Sequence, residues 1–252
     1  MKTVFIFLRL GISNRNLLRT DFLRTLKDHS GTRVVLFSPV GGNLEFRREN
    51  ESENVIVEEW CRTRLGFWEK QLKNIKHWIW LATQRDFGAQ VKYRGLHGLF
   101  GYYWRSLLGR MLVMLGVNAR TVNHLELKIF RPHSVIRELY DRYQPSLVLF
   151  TRVFGTNQHV VKEAKRRAIP TVCLMESWDN LTLKGPLSVV PDRLVVWNEV
   201  NKNEALSLHQ FREEDVLIAG IPQFDLYQDK SLFASKGGFL NGFTIGPEVK
   251  LI

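Results

Sequence analysis

The chain opens on a short, unbroken apolar run, TVFIFL at residues 3–8. A run of that length, rich in β-branched and aromatic residues, predicts a strand buried on both faces. After a loop at residues 11–14, Leu17, Leu18, Phe22 and Leu26 recur at helical spacing. Residues 13–27 therefore predict one amphipathic helix with Ser13 or Asn14 as its N-cap. RVVLFS at residues 33–38 predicts a second strand, ended by Pro39 and the Gly41-Gly42 turn, and NVIV at residues 54–57 predicts a third. From residue 132 the alternation is regular. Helices are predicted at residues 132–143, 156–168 and 202–210, and strands at 146–150, 170–175, 193–197 and 215–219. Strands separated by helices of about ten residues predict βαβ units, and so an α/β, Rossmann-like fold with a mostly parallel sheet.

Residues 60–130 break this rhythm. Leu72, Ile75, Ile79 and Ala82 predict one helix; Leu107, Leu108, Met111, Leu112 and Leu115 predict another, with Arg105 and Arg110 off its apolar face. The segment reads as a helical insertion. It holds five of the seven tryptophans, and its 12 basic residues against 3 acidic ones supply most of the net charge of +11. Two readings stay open. Trp, Tyr and basic residues suit the headgroup zone of an anionic membrane surface. Equally, the tryptophans can pack the helices onto the sheet while Lys and Arg extend to water. After residue 225 the pattern weakens, and PEVKLI at residues 247–252 resembles a new strand. Residues 1–225 are expected to form one domain, and 226–252 a linker with the first strand of a second, absent domain.

With 252 residues, 44% of them hydrophobic and 24% charged, the chain is of ordinary globular composition. Disordered and disulfide-dense classes are excluded. A pI near 9.8 favours an anionic partner. Nucleic acid is not the expected one, because no RNP, KH, zinc-finger or helix-turn-helix signature is present. The two cysteines, Cys61 and Cys173, have no metal-ligand spacing. The most apolar window, residues 99–117, carries Arg105 and Arg110, so no transmembrane helix is expected. The N-terminus lacks a signal-peptide cleavage pattern. The expected location is cytoplasmic, with peripheral attachment to the inner face of the cell membrane as the reading under which residues 60–130 dock.

The densest polar cluster, ESWDNLTLKG at residues 176–185, directly follows a predicted strand. In open α/β sheets ligands bind beyond the carboxyl ends of strands. Asp179 is the candidate catalytic base or acceptor-orienting group. Glu176, Ser177, Trp178, Asn180, Thr182, Lys184 and Gly185 are candidate substrate contacts, with Lys184 able to neutralise a phosphate. The competing reading is a tight turn shaped by Asx-type bonds of Asp179, Asn180 and Thr182, with Lys184 simply solvated. Arg15 and Asn16, at the first strand-to-helix junction with Gly11, Ser13 and Asn14, would line the opposite side of the cleft. Thr151, Arg152, Gly155 and Thr156 form a similar junction, where Thr156 needs no ligand to serve as a helix cap. Gly220, Pro222 and Asp225 read as a rigid turn, with a plain surface turn as the competing reading. His159 and His209 read as structural or solvated. No acidic cluster suggests a metal, and no bound cofactor is expected.

ESWDNLTLKG, PDRLVVWNEVNKNEALSLH at residues 191–209 and VLIAGIPQFD at residues 216–225 together resemble the N-terminal half of GT-B-type glycosyltransferases that build bacterial surface carbohydrate. GISNRNLLRT at residues 11–20 fits the same group. The resemblance covers about residues 2–57 and 147–225, not the insertion. The first motif also resembles the WHGTPLK element of CDP-glycerol glycerophosphotransferases, but the position of their presumed histidine base is Asp179 here, followed by Asn180 rather than Gly. The resemblance implies metal-independent transfer of a sugar from a nucleotide-sugar donor to a surface polysaccharide or lipid-linked glycan. It implies an acceptor-side domain here, with the turn of Gly220, Pro222 and Asp225 at the exit to the interdomain hinge and the donor gripped mostly by the absent domain. Three other functions remain open: a CDP-glycerol glycerophosphotransferase-like enzyme, a nucleotide-sugar 2-epimerase, and a non-catalytic acceptor- or membrane-binding module.

Overall fold

The computed structural model describes residues 1–9, 11–60, 63–130, 133–151, 158–209, 211–228 and 230–242. Seven strands are present among the described residues: β1 (Lys2–Phe7), β2 (Thr32–Ser38), β3 (Val55–Glu59), β4 (Leu147–Phe150), β5 (Thr171–Leu174), β6 (Arg193–Val196) and β7 (Val216–Ile218). They form one sheet in the order β3-β2-β1-β4-β5-β6-β7, and every pairing is parallel. This is the doubly wound, Rossmann-like order, with the chain reversing its direction of growth between β1 and β4. The α/β class and the parallel sheet agree with the sequence reading.

Both faces of the sheet are buried, which explains the continuous apolar runs. Side chains alternate across β1 and β2. Phe5, Phe7, Val35 and Phe37 join one core, with Tyr140, Val160 and Leu194; Val4, Ile6, Val34 and Leu36 join the other, with Leu17 and Leu23. Phe7 and Phe37 stack at 4.4 Å between ring centroids. Cys173 is fully buried, and burial pushes its thiol well above the ordinary value, so it is core filling. The second core is closed by α1 (Ile12–Leu18), α2 (Asp21–Asp28) and α3 (Leu44–Asn50).

These three helices correct the sequence reading three times. The single helix predicted over residues 13–27 is two, because Thr20 turns extended (φ −116°, ψ 177°) and starts α2. The N-cap of α1 is Gly11, with φ 80°, rather than Ser13 or Asn14. Ser13 is inside the first turn with its hydroxyl engaged elsewhere. The helix α3 was not predicted: only Phe46 of its seven residues packs on the core, so it carries no apolar stripe. It begins where the Asn43 side chain accepts from the amides of Glu45 and Phe46.

The insertion is helical as expected, with three helices rather than the two that the stripes predict: α4 (Phe67–Thr83), α5 (Phe87–Met114) and α6 (Ala119–Ile129). A Cβ on Gly109 would lie 2.0 Å from the Trp78 carbonyl oxygen, so only glycine lets α5 approach α4 this closely. The insertion is fastened to the sheet domain by a buried charge network. Lys162 of α8 (Gln158–Arg166) lies 2.7 Å from Glu69 and 2.8 Å from Glu126; Lys76 lies 2.5 Å from Glu126 and donates to the Ser188 carbonyl at 2.6 Å. The remaining helices are α7 (Ser134–Tyr143), α9 (Asn180–Leu183), α10 (Glu199–His209) and α11 (Lys236–Asn241). Pro132, Arg152, Gly155, Thr156 and the strand predicted at residues 247–252 lie outside the described residues.

Candidate functional site

The crevice between β1 and β4 is where a doubly wound sheet presents ligands. Three segments leaving the sheet deliver polar side chains there: Ser13 in the first turn of α1 after β1, Thr151 after β4 and Glu176 after β5. The Ser13 hydroxyl donates to a Glu176 carboxylate oxygen and lies 3.1 Å from the Thr151 hydroxyl. With its own proton given to Glu176, Ser13 accepts from Thr151. The result is a directional relay, Thr151 to Ser13 to Glu176. Ser13 and Thr151 are buried, and so is Asn16 one turn along α1. The Asn16 and Asn14 amide oxygens are buried without a hydrogen-bond partner among the described residues. Leaving such an acceptor unpaired costs about 1–3 kcal/mol, so the crevice has acceptor capacity left for a ligand or water.

The 175–185 loop is held from behind. The Trp197 indole donates to the Met175 carbonyl at 2.9 Å, and Asn201 of α10 donates to the Trp178 carbonyl at 3.3 Å. The loop then winds into α9. Asp179, at the N-cap position, makes no side-chain cap. Its carboxylate instead accepts from the Ser177 hydroxyl at 2.6 Å and pairs with Lys184 at 3.0 Å. Burial acts to raise the Asp179 pKa, but the Ser177 hydrogen bond and the Lys184 charge outweigh it and hold the carboxyl below its ordinary value. Thr182 donates to the Asp179 carbonyl at 3.4 Å, and Asn180 is buried. Gly185 takes φ 87°, and a Cβ there would sit 3.0 Å from the Tyr93 hydroxyl. Trp178 projects outward, 64% exposed.

The predicted residues thus fall into two adjoining groups. Glu176 joins Ser13 at the crevice, beside buried Asn16. Ser177, Asp179, Asn180, Thr182, Lys184 and Gly185 form the turn that follows. Arg15 is engaged elsewhere: its guanidinium donates to Gln223 at 2.9 Å, linking α1 to the 3-10 segment Pro222–Gln228 that holds Pro222 and Asp225. Gly220 precedes that segment with φ 76°. His159 is fully buried beside Glu69, and His209 bonds the Leu181 carbonyl at 2.7 Å; burial lowers both to about 4, so both are neutral structural groups.

Sequence reasoning missed Trp197 and Asn201, and it placed Ser13 and Thr151 at two separate strand-to-helix junctions without the contacts that join them to Glu176. The signal for Ser13 was faint: a small hydroxyl residue one turn past an apolar strand also fits an N-cap. Among the described residues no group of three or more His, Cys, Asp or Glu side chains could hold a metal ion. A cavity of about 880 Å³ lies away from the sheet edge, between the Arg64–Glu69 stretch and Lys128, Ile129, Phe130 and His133. It is walled largely by aliphatic and aromatic groups and lacks the converging polar loops of the β1–β4 crevice.

No protein-family model and no curated protein sequence matches the chain. Two solved structures are similar in backbone course. The UDP-GlcNAc 2-epimerase from Methanocaldococcus jannaschii aligns at 11% identity with a TM-score of 0.47, over 98% of this chain and 54% of its own. The UDP-GlcNAc 2-epimerase from Neisseria meningitidis aligns at 12% identity with a TM-score of 0.44, over 97% of this chain and 52% of its own. The chain therefore spans about half the length of these structures.

Proposed function

We propose that this chain supplies the acceptor side of a nucleotide-sugar-dependent glycosyltransferase of GT-B type, acting on a surface polysaccharide or lipid-linked glycan. The observation that carries the reading is the relay from Thr151 through Ser13 to Glu176 at the β1–β4 crevice, adjoining the ESWDNLTLKG turn. In this reading residues 1–225 are the acceptor-side domain and 226–252 lead to the element that grips the nucleotide diphosphate.

The proposed chemistry is a displacement at the anomeric carbon. The acceptor hydroxyl oxygen forms the new bond, the bond from that carbon to the diphosphate oxygen breaks, and the hydroxyl proton passes to a protein carboxylate. Two carboxylates with different surroundings divide the work. Asp179, ionised and held low by Ser177 and Lys184, is a weak base and a good hydrogen-bond acceptor. It is assigned to orienting the hydroxyl. Glu176, carrying a single hydroxyl donor that a substrate can displace, is assigned to taking the proton. Lys184 and the exposed Arg15 supply positive charge for the departing diphosphate. Asn180 and Thr182 shape the turn, Trp178 offers a flat face for a sugar ring, and Gly220, Pro222 and Asp225 form the hinge.

The test incubates the natural polypeptide with UDP-N-acetylglucosamine, GDP-mannose or CDP-glycerol, with and without a lipid-linked glycan acceptor. Release of nucleoside diphosphate only when acceptor is present supports the reading. Epimerisation of the sugar nucleotide without acceptor, or release of CMP from CDP-glycerol, contradicts it.

A further inference from the structure

The helix α5 buries one side against α4 through Tyr102, Ser106 and Gly109. Its opposite side is apolar and open. Leu99, Phe100, Tyr103, Leu107, Met111 and Met114 recur at spacings of three and four and so form one stripe. All are more than half exposed, Phe100 and Met114 at 84% and 83%. Single exposed apolar residues are ordinary, but a continuous stripe four turns long marks a binding surface. Its charge is one-sided. No acidic residue occurs between Asp86 and Glu126, whereas Lys92, Arg94, Arg105 and Arg110 all fall there. Among the described residues none of these four cations lies within ion-pair range of a carboxylate, and Arg105 lies over the Trp104 ring at 4.7 Å. Among the described residues no helix is long and apolar enough to cross a membrane.

We infer that α5 is a membrane-docking helix that lies in the headgroup plane of an anionic lipid surface, with its Leu99–Met114 stripe inserted and the exposed Arg110 beside it on the lipid phosphates. Apolar area against acyl chains and unneutralised cations against anionic headgroups are the two terms that bind such a helix. A second copy of the chain accounts for the stripe but not for the charge, because an isologous contact would bring like-charged surfaces together. The docking helix is also coupled to the candidate site. Lys92 and Tyr93, ahead of the helix break at Gly98 (φ 69°, ψ 164°), both donate to the Leu183 carbonyl. The turn holding Asp179 and Lys184 is thereby fixed relative to the lipid surface. This inference needs no glycosyl transfer, so it survives if that reading fails.

The test is flotation with vesicles of phosphatidylcholine alone and of phosphatidylcholine with phosphatidylglycerol, using wild type, Leu107→Asp and Arg110→Gln. Both substituted residues are exposed, and circular dichroism checks that the variants stay folded. Wild type is expected to float with the anionic vesicles and to be released by salt. Leu107→Asp should abolish flotation, and Arg110→Gln should lower partitioning about 5-fold. Three results overturn the inference: no flotation with either vesicle, equal flotation with both, or flotation of Leu107→Asp at the wild-type level. A dimer in solution that Leu107→Asp dissolves, with no vesicle binding, assigns the stripe to a second copy instead.

Discussion

Asp179 and Glu176 are three residues apart yet chemically distinct, because their partners differ. Asp179 has both oxygens engaged, by Ser177 and Lys184. The substitution Asp179→Asn keeps the shape and removes the charge. Transfer turnover is expected to fall about tenfold or more, while stability changes by less than about 1 kcal/mol because Lys184 is partly exposed. A folded variant with unchanged turnover removes Asp179 from the mechanism. Ser13→Ala cuts the relay and leaves Thr151 and Glu176 each short of a partner; urea titration should show a loss of about 1–3 kcal/mol. Ala168 holds φ 54° after α8, where the Ile169 amide bonds back to the Ala164 carbonyl at 2.9 Å. Glycine suits that left-handed position, so Ala168→Gly should raise stability by about 1 kcal/mol. At this scale the sequence was only partly legible. The polar turn at residues 176–185 stood out because it follows an apolar strand. Ser13 did not, because its partners Thr151 and Glu176 are 138 and 163 residues away, and no local pattern encodes such a contact.

At the scale of elements, the insertion is joined to the sheet domain by charge as well as by apolar packing. Lys76 and Lys162 are 2% and 1% exposed, and their carboxylate partners Glu69 and Glu126 are also buried. Burial lowers the Lys76 pKa, opposed by Glu126; for Glu69 the raising effect of burial is outweighed by Lys162. Removing one member leaves an uncompensated buried charge. Lys162→Met should therefore cost about 3–5 kcal/mol by urea unfolding, far more than a surface lysine. An effect under about 1 kcal/mol would mean that the network does not fasten the insertion. Helix and strand existence was read well where the apolar signal is strong, as in the continuous runs of β1 and β2, buried on both faces, and in the amphipathic α7. The prediction failed at α3, which lacks a stripe, and at the break between α1 and α2, where the apolar pattern runs on through Thr20. The charge network was illegible because Lys and Glu on helices normally read as solvated faces.

Across the whole molecule, the order β3-β2-β1-β4-β5-β6-β7 places the reversal point beside Ser13, Thr151 and Glu176. Alternation of strands and helices predicted a parallel sheet, but local pattern does not specify strand order, so the crevice itself was not legible. Burial also links the fold to pH. His77, His159 and His209 are each lowered to about 4, first by burial. The unfolded chain binds protons at these histidines below about pH 6.5, whereas the folded chain does so only near pH 4. Stability is therefore full above that unfolded value and falls as pH drops through the window from about 6.5 to 4, by up to ~1.4 kcal/mol per pH unit for each histidine. Urea midpoints across that range check the sign, and His209→Gln should make the slope shallower.

The central claim, that the β1–β4 crevice and its adjoining turn receive a glycan acceptor, is tested most directly by hydrogen-exchange mass spectrometry with and without a surface-polysaccharide oligosaccharide. Slowed exchange at residues 11–18 and 175–185 is the predicted result. Unchanged exchange in both segments, with protection concentrated at residues 64–69 and 128–130 around the separate cavity, would contradict the account.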